Sequence, residues 1–152
     1  MRRLMLLLTV LGSACGGGGS QLPAPSTMNE ALTQFLDAVQ TKNIERMGHL
    51  WGTDRGPAAG WMPDSVLQMR MTVVQRYLSA SGYRIVEGPL AVPGASGRRL
   101  FRVELQREQC NHVQPIELVQ THSGGWLVYD VHLESAGGTS SPCRPAAPGT
   151  RP

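Results

Sequence analysis

Between positions 27 and 80 the apolar residues recur with a helical period, and beyond position 83 they alternate. Met28, Ala31, Leu32, Phe35, Leu36 and Val39 fall on one face of a helix over 27–41. Thr27, followed three residues later by Glu30, forms a capping box that starts it. Asn43 can cap a second, short helix with Ile44, Met47, Leu50 and Trp51 on one side. A loop rich in Gly, Pro and Asp follows over 52–60. A third helix is expected from Pro63-Asp64 to about Ala80, ending before Gly82. Its stripe of Leu67, Met71, Val74 and Leu78, widened by Val66, Val73 and Tyr77, suits a helix lying across a sheet.

The period then becomes two. A short strand is expected over 83–87, with an extension over 90–92 past Gly88-Pro89, and 93–97 is a hairpin turn by composition. Over 100–108 Phe101, Val103 and Leu105 alternate with Arg102, Glu104 and Gln106. Pro115 is expected near the start of the next strand, where a missing donor is tolerated, with Ile116 and Leu118 on its apolar side. The turn over 121–125 leads to a last strand over 126–134. There Leu127, Tyr129, Val131 and Leu133 share one face and Trp126, Val128, Asp130 and His132 the other. Helices first and strands after indicate an α+β domain, N-terminal helices packed on a curved antiparallel sheet.

The 152 residues hold 41% hydrophobic and 16% charged positions, which excludes a fully disordered chain. No apolar stretch approaches the ~18 residues of a spanning helix. The formal charge of +3 changes once its placement is considered. Setting aside Arg2 and Arg3 leaves 12 positive against 11 negative charges, a net of +1. Arg98, Arg99 and Arg102 form the one dense basic patch and read as a solvated hairpin end, so nucleic acid is not an expected partner.

Arg2 and Arg3 precede a short apolar run from Leu4 to Leu11 and then Gly12-Ser13-Ala14-Cys15, the layout of a secretory signal over 1–14. The small residues ending at Cys15 resemble the lipobox of bacterial lipoproteins, with Leu11 one position earlier than that family's preferred leucine. The resemblance implies cleavage before Cys15, acylation of its sulfur, usually acylation of the new amino end, and a membrane anchor. It also implies the bacterial cell envelope, at the outer membrane facing the periplasm because no Asp follows Cys15. The alternative is a secreted protein with an unlipidated Cys15. Residues 15–26, glycine-rich and then proline-containing, make a tether with a reach of roughly 17–20 Å.

Cys110 and Cys143 are an even pair in an oxidising compartment and read first as a disulfide, contributing about 3–4 kcal/mol by loop closure. It would pin a Pro/Gly-rich tail over 136–152. A metal site using Cys110, His112 and a third ligand is the alternative, but no CxxC or HxxxH spacing supports it. No metal or other cofactor is expected.

The pattern Ala31-Leu32-xx-Phe35-Leu36-xx-Val39, the short helix ending Leu50-Trp51, the long third helix and the closing Gly125-Trp126-Leu127-Val128-Tyr129-Asp130-Val131 resemble the nuclear-transport-factor-2-like superfamily, with its cystatin-like cone. The likeness covers about 27–135 and is closest to small bacterial lipoproteins of unknown function that carry this domain. It implies a conical sheet wrapped around a helix with a pocket between them.

Enzymes of that superfamily resembling ketosteroid isomerase need a desolvated carboxylate base and a hydrogen-bond donor in an apolar cone. Asp37 and Asp130 are the possible bases here, Tyr77 and Tyr129 the donors and His132 a shuttle, against bland readings as solvated residues or ion pairs. Asp130, His132 and Tyr77 are the catalytic candidates. Trp51, Trp61, Tyr77 and Tyr129 are the pocket candidates, although the two tryptophans read first as apolar plugs closing the cone and only second as walls of its mouth. His49 reads as a surface residue. The expected function is non-catalytic, an envelope lipoprotein binding a small apolar ligand or an envelope protein. The alternative is a pocket enzyme doing isomerase- or cyclase-like acid–base chemistry on a hydrophobic substrate.

Overall fold

The structure is a computed structural model and describes residues 23–135. Helices α1 (Met28–Gln40) and α2 (Ile44–Leu50) are followed by a small hairpin, β1 (Gly52–Thr53) and β2 (Gly56–Pro57). A 3-10 turn (Ala58–Gly60) leads into α3 (Asp64–Leu78). Strands β3 (Gly82–Val92), β4 (Ala95–Gln106), β5 (Asn111–Gln120) and β6 (Trp126–Asp130) form one antiparallel sheet in chain order, and a 3-10 turn (Leu133–Ser135) follows. The α+β class is therefore as the pattern implies. No described helix is long and apolar enough to cross a membrane.

Both helix starts expected from side-chain chemistry are present. Thr27 Oγ1 accepts from Glu30 N at 3.2 Å, and Asn43 Oδ1 accepts from Arg46 N at 2.9 Å. The Glu30 carboxylate does not return to the cap backbone. It accepts from the Ser26 hydroxyl at 3.3 Å and from Gln34 Nε2 at 3.1 Å. The α1 stripe buries Leu32, Phe35, Leu36 and Val39 against Phe101, Val103, Ile116, Leu118 and Val128 of the sheet. At about 25 cal/mol per Å² of apolar surface removed from water, this layer is the main source of stability.

Helix α3 departs from the expectation. Only Leu67, Met71, Val74 and Leu78 are buried; Val66 and Tyr77 are half-buried and Val73 is exposed. The helix packs chiefly on α2, α1 and the 3-10 turn rather than across the sheet, so a narrow stripe is enough. Its last carbonyls are held by Arg107, whose Nη2 donates to Tyr77 O at 2.5 Å and whose Nε donates to Ser79 O at 3.2 Å.

The sheet departs in five places. Strand β3 runs unbroken through Gly88-Pro89, with register irregularities from Ile85 to Leu90. The β3–β4 turn is only Pro93-Gly94, with Val92 paired to Ala95 and Gly94 at φ +74°, the left-handed position that follows Pro in a type II turn. Pro115 lies in mid-strand, opposite Arg102. Pairing of β5 with β6 reaches no further back than Glu117. Beyond that point the buried Gln114 amide donates to Val131 O and to His132 O, so a side chain replaces ladder bonds. Strand β6 stops at Asp130, short of 134. The Asp130 carboxylate accepts from Val131 N at 2.7 Å and His132 N at 3.2 Å, and His132 turns the chain at φ +44°. The loop over 52–60 is likewise structured, as the β1–β2 hairpin and the 3-10 turn.

Candidate functional site

Side chains alternate across a strand, so the register that sends Phe101, Ile116, Leu118 and Val128 toward the helices sends Arg98, Glu117, Val119 and Leu127 to the far face. Tyr129 follows Leu127 on that face and meets Arg98, whose guanidinium carbon lies 3.7 Å from the ring centroid. Arg98 Nη1 is 3.4 Å from Glu117 Oε1, and the other Glu117 oxygen is 3.6 Å from His132 Nε2. The Glu117 side chain is only 7% exposed, against 34% for Arg98, so the carboxylate sits inside while its arginine reaches solvent. A buried carboxylate needs such partners. Stacking on the ring holds the guanidinium in one plane.

The β1–β2 hairpin reaches this face from the free edge of β6. Trp51 forms an isolated parallel bridge with Val128, and the chain then folds over Leu127, which is fully buried. Gly52 permits the approach, because a Cβ there would stand 2.8 Å from Leu127 Cδ1 and 2.9 Å from Pro57 Cα. His122 ties the hairpin to the β5–β6 turn, its N–H donating to Asp54 O at 2.8 Å and its ring nitrogen lying 3.5 Å from Asp54 Oδ2.

An open cleft of about 960 Å³ lies between this hairpin, the β3–β4 turn and the far face. Asp54, Arg55, Trp61, Arg98, Val119 and Tyr129 supply its chemistry. Trp61 is 57% exposed. Two arginines face one aspartate, and that aspartate is already beside His122. The cleft can take an anion next to an apolar or aromatic group. No cluster of three or more His, Cys, Asp or Glu able to hold a metal occurs among the described residues.

The sequence candidates divide. Trp61 and Tyr129 line the cleft. Trp51 and Tyr77 do not: the Trp51 ring packs on Phe35 with centroids 6.1 Å apart, and Tyr77 is on α3 in the helix layer. Asp130 and His132 do meet, at 3.9 Å between Oδ2 and Nδ1, but through the turn after β6 rather than through strand alternation. His132 is also 3.1 Å from Glu134 Oε1, and Asp130 caps backbone N–H groups. These are structural tasks, and Tyr77 is not brought to them. Asp37 is exposed and accepts from the Tyr83 hydroxyl at 2.8 Å. Partial burial and that hydrogen bond push the Tyr83 phenol up to about 12.

The basic patch is not simply solvated either. Arg99 folds back onto the Ser96 and Arg98 carbonyls, and Arg102 pairs with Glu87 at 3.2 Å. Cys110 sits in the β4–β5 connection and is engaged rather than free. Cys15 and Cys143 lie outside the described residues. Sequence reasoning missed Glu117, Asp54 and Arg55. The available signal was an acidic residue within the apolar run Ile116-Glu117-Leu118-Val119, the mark of a strand buried on both faces. Comparison with known proteins found no match among family models, curated proteins or solved structures.

Proposed function

We propose that the chain is a lipid-anchored bacterial envelope protein, attached through Cys15, whose nuclear-transport-factor-2-like domain works by binding rather than by catalysis. Supporting the family reading are the order of three helices before the four-stranded meander, the small hairpin between α2 and α3, and register irregularities in β3 and β6 of the kind that curve a sheet. One observation carries the functional reading. Between helices and sheet stand Leu32, Phe35, Met47, Phe101 and Ile116, all buried, whereas the open cleft is on the far face. Acid–base chemistry inside the cone needs a desolvated base facing the substrate, and the buried cluster between helices and sheet is apolar throughout, with no carboxylate in it. The cleft is the binding surface. Cys110, the described member of the expected Cys110–Cys143 disulfide, lies in the β4–β5 connection at the end of the sheet opposite the cleft.

The test places a photoreactive residue at Gln120, in the cleft wall, and separately at Arg70, exposed on α3, in living cells. An adduct from position 120 and none from 70 is expected, with intact mass showing an acylated Cys15. No adduct at 120, or equal adducts at both, would overturn the cleft. An unmodified Cys15 would overturn the anchor.

A further inference from the structure

The cleft and the entry of the chain into the domain lie at the same end of the sheet. Arg98 pairs with Val119 in register, so the β3–β4 turn and the β5–β6 turn are neighbours. Both border the cleft, through residues 94–98 and 119–120. The described chain begins there too: Pro25 O accepts from Trp126 N at 2.8 Å, and Ala24 packs against Gly125. The connection over 107–110, with Cys110, is at the other end. The described chain therefore joins the domain at the end that carries the cleft, so a tether preceding it would leave the cleft, rather than the 107–110 end, nearer the surface that holds the anchor.

The groups in the cleft suit such a surface. Arg98 uses one N–H, in a 3.4 Å contact with Glu117, and its other donors have no acceptor among the described residues. Arg55 is exposed and makes no ion pair among the described residues. Arginine's planar fork matches phosphate oxygens, and stacking on Tyr129 fixes the plane of Arg98 in advance. Trp61 offers an exposed indole beside them, the side chain best suited to a headgroup region that is apolar on one side and wet on the other.

We propose that the cleft binds the phosphate of an anionic lipid headgroup in the membrane that carries the tether. Arg98 and Arg55 take the phosphate and Trp61 enters the interface. The proposal rests on the reading of the chain as membrane-tethered. Tyr129 fixes the plane of Arg98, and Glu117 holds its near side.

The experiment uses the mature chain from position 15 with Cys15→Ser, so that no acyl group contributes to binding. It is sedimented with vesicles of phosphatidylcholine alone and of phosphatidylcholine with phosphatidylglycerol, with and without inorganic phosphate. Binding is expected only to the anionic vesicles, and to weaken with salt. Arg98→Gln should weaken it about five-fold, the loss expected for one arginine near an anionic surface. Arg55→Gln, which breaks no described contact, guards against misfolding of the first variant and should weaken binding similarly. Arg70→Gln, removing the same charge from α3, should leave it unchanged. Equal binding to both vesicle types, or equal losses from Arg70→Gln and Arg55→Gln, would overturn the site. Competition by inorganic phosphate at the concentration of the lipid phosphate would show a soluble anion as the ligand and overturn the lipid source. Absent vesicle binding with an acylated Cys15 removes only the headgroup site. An unmodified Cys15 removes the tether and leaves the vesicle result standing.

Discussion

Glu117, Gln114 and His112 all lie on β5, and each is a polar side chain admitted to the interior on different terms. Glu117 is paired with Arg98, with His132 Nε2 3.6 Å away and not hydrogen-bonded to it, and Gln114 substitutes for missing ladder bonds. The buried Nε2 of His112 has no hydrogen-bond partner among the described residues. Burial and the nearby Arg107 charge hold the His112 imidazole below its ordinary value, against smaller opposing contributions from the Ser135 backbone and Gln114. The sign of the consequence follows from linkage. As the pH falls below about 6.5 the unfolded chain takes up a proton that folded His112 resists, so folding stability falls toward acid. Urea midpoints at pH 7 and pH 5 should therefore differ less in His112→Gln than in the parent. An identical difference in both would exclude this residue as a source of acid sensitivity.

At the scale of elements, what could be read from the sequence was what depends on neighbours along the chain. Thr27 and Asn43 cap helices with atoms a few residues away, and the alternation of Phe101, Val103 and Leu105 needs only the strand's own pleat. The β1–β2 hairpin was invisible because Gly52 is required by Leu127 and Pro57, one of them on a distant strand. Strand β6 was read too long because Val131, His132 and Leu133 continue the alternation while the Asp130 carboxylate takes the backbone donors that would extend the ladder. The candidate site suffered in the same way. Trp61 and Tyr129 were legible as aromatics in need of a role. That Arg98, Glu117 and Tyr129 share a face appears only once the β4–β5–β6 register and its bulge at Glu117 are fixed. Gly52→Ala should lower stability by about 1–3 kcal/mol, since the hairpin backbone must move to admit a methyl group. Chemical denaturation measures this, and a change under a few tenths of a kcal/mol would show that the hairpin does not lie tight on Leu127.

For the whole molecule, the sheet divides two kinds of environment. One face is dry and closed by α1 and α2. The other carries a partly buried charge network, a covering hairpin and a cleft beside the point where the chain enters. Net charge is nearly balanced once Arg2 and Arg3 are set aside, so the attraction proposed toward an anionic surface must come from local placement, with Arg55 and Arg98 lining the cleft beside Asp54. Amide and indole NMR shifts, followed as anionic bicelles are added to the Cys15→Ser chain, separate the two faces most directly. The expected result is that shifts gather at Arg55, the Trp61 indole N–H, Ser96 to Arg98 and Gln120. Shifts gathered instead at Leu32, Phe35, Phe101 and Ile116 would place the ligand between helices and sheet and contradict a far-face site.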